Sequence, residues 1–268
     1  MKNELEAKRS IAYNHDFYDK KILNDCLNKF GYLLEYRKTM KSTMDFDFSK
    51  NDNSIIVLTD HQTCGRGRHA NVWNDEKNKS VLMTVVEKDS EINNIPLGIL
   101  SNVVALQICL VLEKITDCKK LSIKWPNDIM LEGKKVGGIL LERKNQMTSI
   151  GLGLNIYENK KTPDRGYLLE NNYLLNRKKI LLAMMKQWTE FKKEFLQDFS
   201  EEKFLQLDEL WKKNSYLLGK KIFLDLKNYS IIGTVIDCKL GEGLTVQSGE
   251  QEIKVSQDDY IPSSCIIV

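Results

Sequence analysis

SIKWPNDIMLEGKKVGGILLER, Ser122 to Arg143, is the stretch on which the fold turns. The run ending at Trp125 reads as a strand, and Pro126 then removes a backbone donor and closes it, so Asn127 and Asp128 fall in a tight turn. DIML follows as a second short strand, and Glu132 with Gly133 makes a hairpin into a third, KVGGILLER. Period-2 geometry puts Lys124 and Pro126 on one face of the first strand and Trp125 on the other. Gly137 and Gly138 inside a strand weaken it, which marks close passage of a ligand or of another backbone. Read alone, KWPND is also a plain β-turn, and Lys134 and Lys135 by themselves read first as a solvated hairpin tip.

Working outward, SIGLGLNIY (149–157) is a further strand whose Gly151, Gly153 and Asn155 share one face, nearly bare of side chains. That face would accept a ligand or an adjacent helix. Upstream, LGILSNVVALQICLVLEKI (97–115) follows Pro96, is apolar nearly all round, and is long enough for a central helix. SIIVLT (54–59) and SVLMTVV (80–86) read as buried strands, YLLEYR (32–37) as another, and FYDKKILNDCLNKF (17–30) as a helix. Helical spacing returns from Leu174 to about Lys213. From Leu218 the pattern changes to short alternating runs, with turns at Lys227-Asn228, Gly241 to Gly243 and Ser248-Gly249, which suggests a small antiparallel barrel. The class is mixed α/β (α+β), divided into an N-terminal helical extension over 1–30, a catalytic domain over 31–214 and a barrel domain over 215–268.

Composition excludes several roles. The chain has 268 residues, 42% hydrophobic, so it can bury a substantial core. Forty basic against 37 acidic residues give a net charge of +3, so any cationic site is local rather than a nucleic-acid face. Six cysteines without CxxC spacing read as free thiols of a reducing compartment, and no metal motif is present. A charged N-terminus and no apolar run of membrane-spanning length predict a cytoplasmic protein with no membrane association.

HQTCGRGRHANVW, His61 to Trp73, sets Arg66 and Arg68 among Gly65 and Gly67. Glycine lets backbone approach a ligand, and arginine offers a fixed fork of donors to phosphate or carboxylate. GRGRHA formally satisfies the dinucleotide fingerprint, but loop rather than helix follows it. The kinase glycine-loop pattern is also met, without HRD or DFG downstream, and no GK[ST] of a Walker A occurs. Phosphate would therefore be held mainly by side chains.

Taken in order, GRGR with Trp73 five residues on, KWPND, KxGGIL and GLGLN resemble the biotin protein ligases, from about Leu33 to the C-terminus. The resemblance implies a mixed-sheet catalytic domain followed by an SH3-like barrel. It implies that biotin is activated with MgATP to biotinyl-5′-AMP, with release of pyrophosphate, and is then passed to one lysine of an acceptor domain of a biotin-dependent carboxylase such as acetyl-CoA carboxylase. The lipoate ligases share that fold without the GRGR and KWPND pair, and remain the alternative as lipoate or octanoate transfer. A non-catalytic biotin-binding module is the other, and it would have lost Lys135 or the arginine pair.

Carried over by position, Ser42, Thr43, Gln62, Arg66, Gly67, Arg68, Lys135, Gly137, Gly138 and Gly151 would form the biotin site. Gly65, Arg66, Arg68, Trp73, Lys124, Asn127 and Asn155 would serve ATP, with Trp73 and Asn155 at adenine. Lys135, Arg68 and Asp128 would be catalytic, Asp128 by orienting or deprotonating the acceptor lysine. Mg²⁺ would come with ATP, since no direct protein motif for it exists. Departures include Met44 where the family has Asn, so that only backbone is expected to serve there. The following helix is shortened to DFDFSKNDN, and His69, Ala70 and Asn71 replace a further Arg-Gly-Arg. Only about 30 residues precede the catalytic segment, so DNA binding is not expected, and a monomer or homodimer fits.

Overall fold

The structure, a computed structural model, describes residues 18–48, 53–68, 71–88, 92, 94–116, 121–159, 162–169, 175–196, 200–257 and 259–268. Most of the expected N-terminal extension, His69, Ala70 and Leu174 lie outside the described residues.

Helix α1, Lys20–Asn28, starts where Asp19 accepts a hydrogen bond from the Ile22 N–H at 3.0 Å, and it buries Leu23 and Leu27, four apart on one face. Gly31, at φ +87°, ends it: Gly31 N–H and Tyr32 N–H bond back to the carbonyls of Asn28 and Leu27. The chain turns directly into β1, Leu33–Arg37, which pairs in parallel with β2, Ile55–Thr59.

The large sheet has seven strands. Their spatial order is β1, β2, β5 (Ser80–Glu87), β9 (Met147–Asn155), β8 (Lys134–Lys144), β7 (Asp128–Leu131) and β6 (Leu121–Lys124). Beyond the β1–β2 pair every ladder is antiparallel, so the sheet is mixed. A two-residue pair, β3 (Gly65–Arg66) and β4 (Val72–Trp73), stands apart as a hairpin. The β7–β8 turn is the expected one: Glu132 and Gly133 both have positive φ, the geometry that matches strand twist.

Alternation sorts the two faces of the sheet. Met83, Val85, Ile150 and Leu152 are buried toward α2, Leu97–Ile115, and α3, Arg177–Phe191. Thr84, Gly151 and Gly153 fall on the opposite face. α2 corrects one sequence expectation, because by length and composition it is apolar enough to cross a membrane. It is mostly buried inside the protein, twelve of its residues being largely out of contact with solvent.

Two buried carboxylates fasten the periphery to this core. Glu87 accepts from Tyr32 Oη, from Trp188 Nε1 at 2.7 Å and from Lys192 Nζ at 2.9 Å. Asp60 accepts from Tyr36 Oη at 2.5 Å and pairs with the fully buried Arg177 at 3.0 Å. Burial and the Asp60 bond push the Tyr36 hydroxyl well above the usual phenol range, so it stays a donor.

After α4, Glu201–Lys213, five antiparallel strands follow: β10 (Lys221–Leu226), β11 (Ser230–Lys239), β12 (Gly243–Ser248), β13 (Gln251–Val255) and β14 (Tyr260–Ile267). They lie in the order β13-β12-β11-β10-β14. The connection from α4 into this sheet runs beside β6, where Ile123 N–H donates to the Asn214 carbonyl at 2.7 Å and Tyr216 N–H to the Ile123 carbonyl at 2.8 Å. Burial raises the thiols of Cys109, Cys238 and Cys265, which makes them poor nucleophiles, whereas Cys64 is exposed.

Candidate active site

A cavity of about 380 Å³ opens on the helix-free face of the large sheet, between the β3–β4 hairpin, the 125–128 turn and the glycine-bearing strands β8 and β9. Its two ends differ in chemistry.

One end is built of neutral hydrogen-bonding groups. Ser42 is buried and caps a 3-10 turn, Thr43–Asp45, its Oγ accepting from Met44 N–H at 3.3 Å. Gln62 Oε1 accepts from Thr43 N–H at 2.8 Å and from Thr43 Oγ1 at 3.2 Å, while Thr84 Oγ1 donates to Thr43 Oγ1 at 2.8 Å. Gln62 is itself held by buried Asp75, which accepts from the Gln62 N–H at 3.2 Å and contacts His61 Nδ1 at 2.8 Å. Thr84, unnoticed in the sequence, completes this set, and its only signal was a hydroxyl within an apolar strand. Met44 departs from the expectation of a backbone role: its side chain lines the cavity against Gly151, where a Cβ would come within 2.6 Å of the sulfur.

The other end is cationic, lined by Arg68, Lys124, Lys135 and Arg165, with Asp128 as the facing carboxylate, and Arg66 lines the cavity on the side of the 3-10 turn. Lys135 Nζ lies 2.5 Å from Asp128 Oδ1 and 5.8 Å from the centre of the Trp73 ring. Arg66 is engaged by two carboxylates, Asp45 at 2.9 Å and Glu142. Lys124 is turned toward the second sheet and donates to the Cys265 carbonyl at 2.9 Å. Asn127 fastens its turn to β8, its side-chain amide donating to the Ile139 carbonyl and its own carbonyl accepting from Ile139 N–H at 3.1 Å. Arg165 comes from the turn TPDRG (162–166), whose Gly166 N–H bonds the Lys135 carbonyl at 2.9 Å; the Pro-Asp pair after Asn155 was the available cue.

The glycines divide by face. Gly153 seats the Trp73 indole so closely that a Cβ would come within 2.4 Å of Trp73 Cε2, and Gly138 lies under the same ring. Gly65 stands behind the cavity wall, opposite Trp73 in the hairpin, with room for no Cβ beside the Trp73 carbonyl. Gly67 closes the loop by donating to the Asn71 carbonyl at 2.7 Å. Gly137 corrects the sequence reading: it faces the core, where a Cβ would touch Leu154 and Ile129, because adjacent strand residues point to opposite sides. Asn155 is buried, accepting from Ser80 Oγ and donating to the Gly166 carbonyl, each at 3.2 Å. The Trp73 indole N–H is buried on the wall with no hydrogen-bond partner among the described residues.

Residues 33–155, which supply most of this cavity, match the Biotin/lipoate A/B protein ligase family. That segment is a domain of this family. The chain is also similar to biotin–protein ligase 2 of Arabidopsis thaliana, at 30% identity over 75% of this chain and 64% of the relative. It is similar to the biotin–[acetyl-CoA-carboxylase] ligase of Mycobacterium tuberculosis, at 23% identity over 78% of this chain and 79% of the relative. It spans 64% and 60% of the lengths of the two Arabidopsis ligases it matches. Its fold is that of the biotin protein ligase from Aquifex aeolicus in complex with biotin and ATP, with a TM-score of 0.70, 23% identity, and 88% of this chain and 99% of that one covered.

Proposed function

We propose that the chain is an ATP-dependent biotin protein ligase, which activates biotin as biotinyl-5′-AMP and transfers it to a lysine of a carboxylase acceptor domain. The observation that carries this reading is the polarity of one cavity: a hydroxyl and amide end at Ser42, Thr43 and Gln62, and a cationic end at Arg68 and Lys135 beside an aromatic wall. The neutral end suits a ureido ring, and the cationic end suits a carboxylate meeting an α-phosphate. Two anions repel as they approach, so fixed positive charge at the point of bond formation is the main requirement.

In this reading Lys135 leaves Asp128 for the carboxylate and phosphate oxygens. The biotin carboxylate oxygen bonds to the α-phosphorus, and the bond to pyrophosphate breaks. Asp128, released from Lys135, then receives the acceptor ammonium. A lysine with an ordinary pKa of about 10.4 is a poor nucleophile at neutral pH. Transfer of its proton to a carboxylate frees the amine to attack the acyl carbon, with AMP leaving. Arg66 exchanges Asp45 and Glu142 for ligand oxygens, and the Trp73 ring with Asn155 receives adenine. Among the described residues no group of three His, Cys, Asp or Glu side chains is placed to hold a metal. Mg²⁺ would arrive with the triphosphate, whose charge it would offset when bound.

The same reading divides the chain into a catalytic domain over 31–214 and an SH3-like barrel over 215–268; the five antiparallel strands support the barrel. Free cysteines, five of them among the described residues, support a reducing, cytoplasmic setting.

The test is pyrophosphate release from MgATP with biotin, lipoate or octanoate. Release with biotin alone is expected. A preference for lipoate or octanoate would move the chain to the other branch of the family, and no release with any acid would overturn the proposal. A sharper result is expected for Gly153→Val. The added carbons displace the Trp73 indole, so ATP-dependent release should fall roughly 10²-fold through misplacement while biotin binding by calorimetry stays within a few-fold of the parent.

A further inference from the structure

Asn102 lies in α2, among apolar residues, and is fully buried. A buried amide in such a helix is costly unless both of its ends are bonded. Both are, and to two different parts of the chain. Its Nδ2 donates to the Pro126 carbonyl at 2.9 Å, inside the turn that presents Asn127 and Asp128 to the cavity. Its Oδ1 accepts from the Gly241 N–H at 3.2 Å, in the turn between β11 and β12 of the second sheet. Gly241, at φ +79°, lies so close to α2 that a Cβ would come within 2.2 Å of Ile99 Cγ1. The Lys124 bond to the Cys265 carbonyl links the same two parts a second time.

We infer that Asn102 is a positioning residue for the ATP end of the cavity, clamping the 125–128 turn between α2 and the C-terminal sheet. The inference rests on the ligase reading above. Placement of Asn127 and Asp128 then depends on how the C-terminal sheet docks, although that sheet contributes no side chain to the described cavity wall. The neutral end is built on the 3-10 turn, Gln62 and β5, so the effect falls on one substrate and spares the other.

Asn102→Leu keeps the γ-branched shape, with some gain in volume, and removes both bonds, and Gly241→Ala disturbs the docking with Asn102 intact. Each should raise the KM for ATP about tenfold or more while the KM for biotin stays within about twofold. Hydrogen exchange at the Ile139 amide, which is bonded to the Asn127 carbonyl, should quicken in both. An unchanged ATP KM with unchanged exchange overturns the inference. So does an equal rise in both KM values, the mark of general destabilisation. Should Asn102→Leu fail to fold, Gly241→Ala decides the question alone. A parent protein that releases no pyrophosphate with biotin would sink the ligase reading instead, and exchange at the turn would still show whether Asn102 holds it.

Discussion

Lys135→Ala should lower biotinyl-adenylate formation by roughly 10²–10³-fold, the loss expected when one preorganised charge is removed from a developing anionic centre. Lys135 is only partly exposed, and its Nζ is fixed by Asp128 at 2.5 Å and by the Trp73 face, so its charge is aimed before substrate arrives. Lys134, its neighbour, is exposed and points to the other side of the strand. Lys134→Ala is therefore the control, with activity near the parent's. Stopped reactions quantifying biotinyl-AMP and pyrophosphate give the answer. Equal losses in the two variants, or none in either, would mean that Lys135 is ordinary hairpin surface and the cationic end lies elsewhere. Asp128→Asn separates the two steps further: it should leave adenylate formation nearer to normal than acceptor labelling, because in the proposed reaction the carboxylate takes the proton of the acceptor amine.

Arg177→Met is the variant with the largest expected loss of stability, about 3–5 kcal/mol, because it leaves the Asp60 carboxylate buried beside Tyr36 without its cation. For a chain of this size that corresponds to a fall in Tm on the order of 10 °C. The sequence neighbours of Asp60 add a functional consequence. His61 and Gln62 follow it directly, so loosening Asp60 should also weaken biotin binding through Gln62. Asp60→Asn combined with Arg177→Met should recover much of the loss, since no net charge is then left in the interior. Thermal unfolding followed by circular dichroism checks both. If the single and double variants melt together, the ion pair is not the cause of the loss.

The β7–β8 hairpin was legible because Glu132-Gly133 needs positive φ at both positions, and α2 because a run apolar on every side has only the core to occupy. Arg66, Arg68 and Lys135 line one cavity; in the sequence they are grouped only by the resemblance that their motifs carry. Gly137 was misplaced for a local reason: two adjacent glycines look alike in a sequence, but a strand sends them to opposite faces, and only Gly138 meets Trp73. Asp60 with Arg177, and Lys124 with Cys265, lie 117 and 141 positions apart, and no local pattern announces such partners.

What the sequence by itself determined is therefore whatever local backbone chemistry dictates: strand and helix periods, the turns at Pro126 and Gly133, and the residue types gathered in the glycine-arginine loop. Those rest on φ/ψ preferences and side-chain spacing, which act within a few residues. Tertiary structure alone decided which charges are engaged. It set Arg66 against Asp45 and Glu142, Lys135 against Asp128, and the Trp73 ring on Gly153. Coulomb attraction and packing act through space, over a few ångströms, between segments whose separation along the chain is arbitrary until the sheet has brought them together.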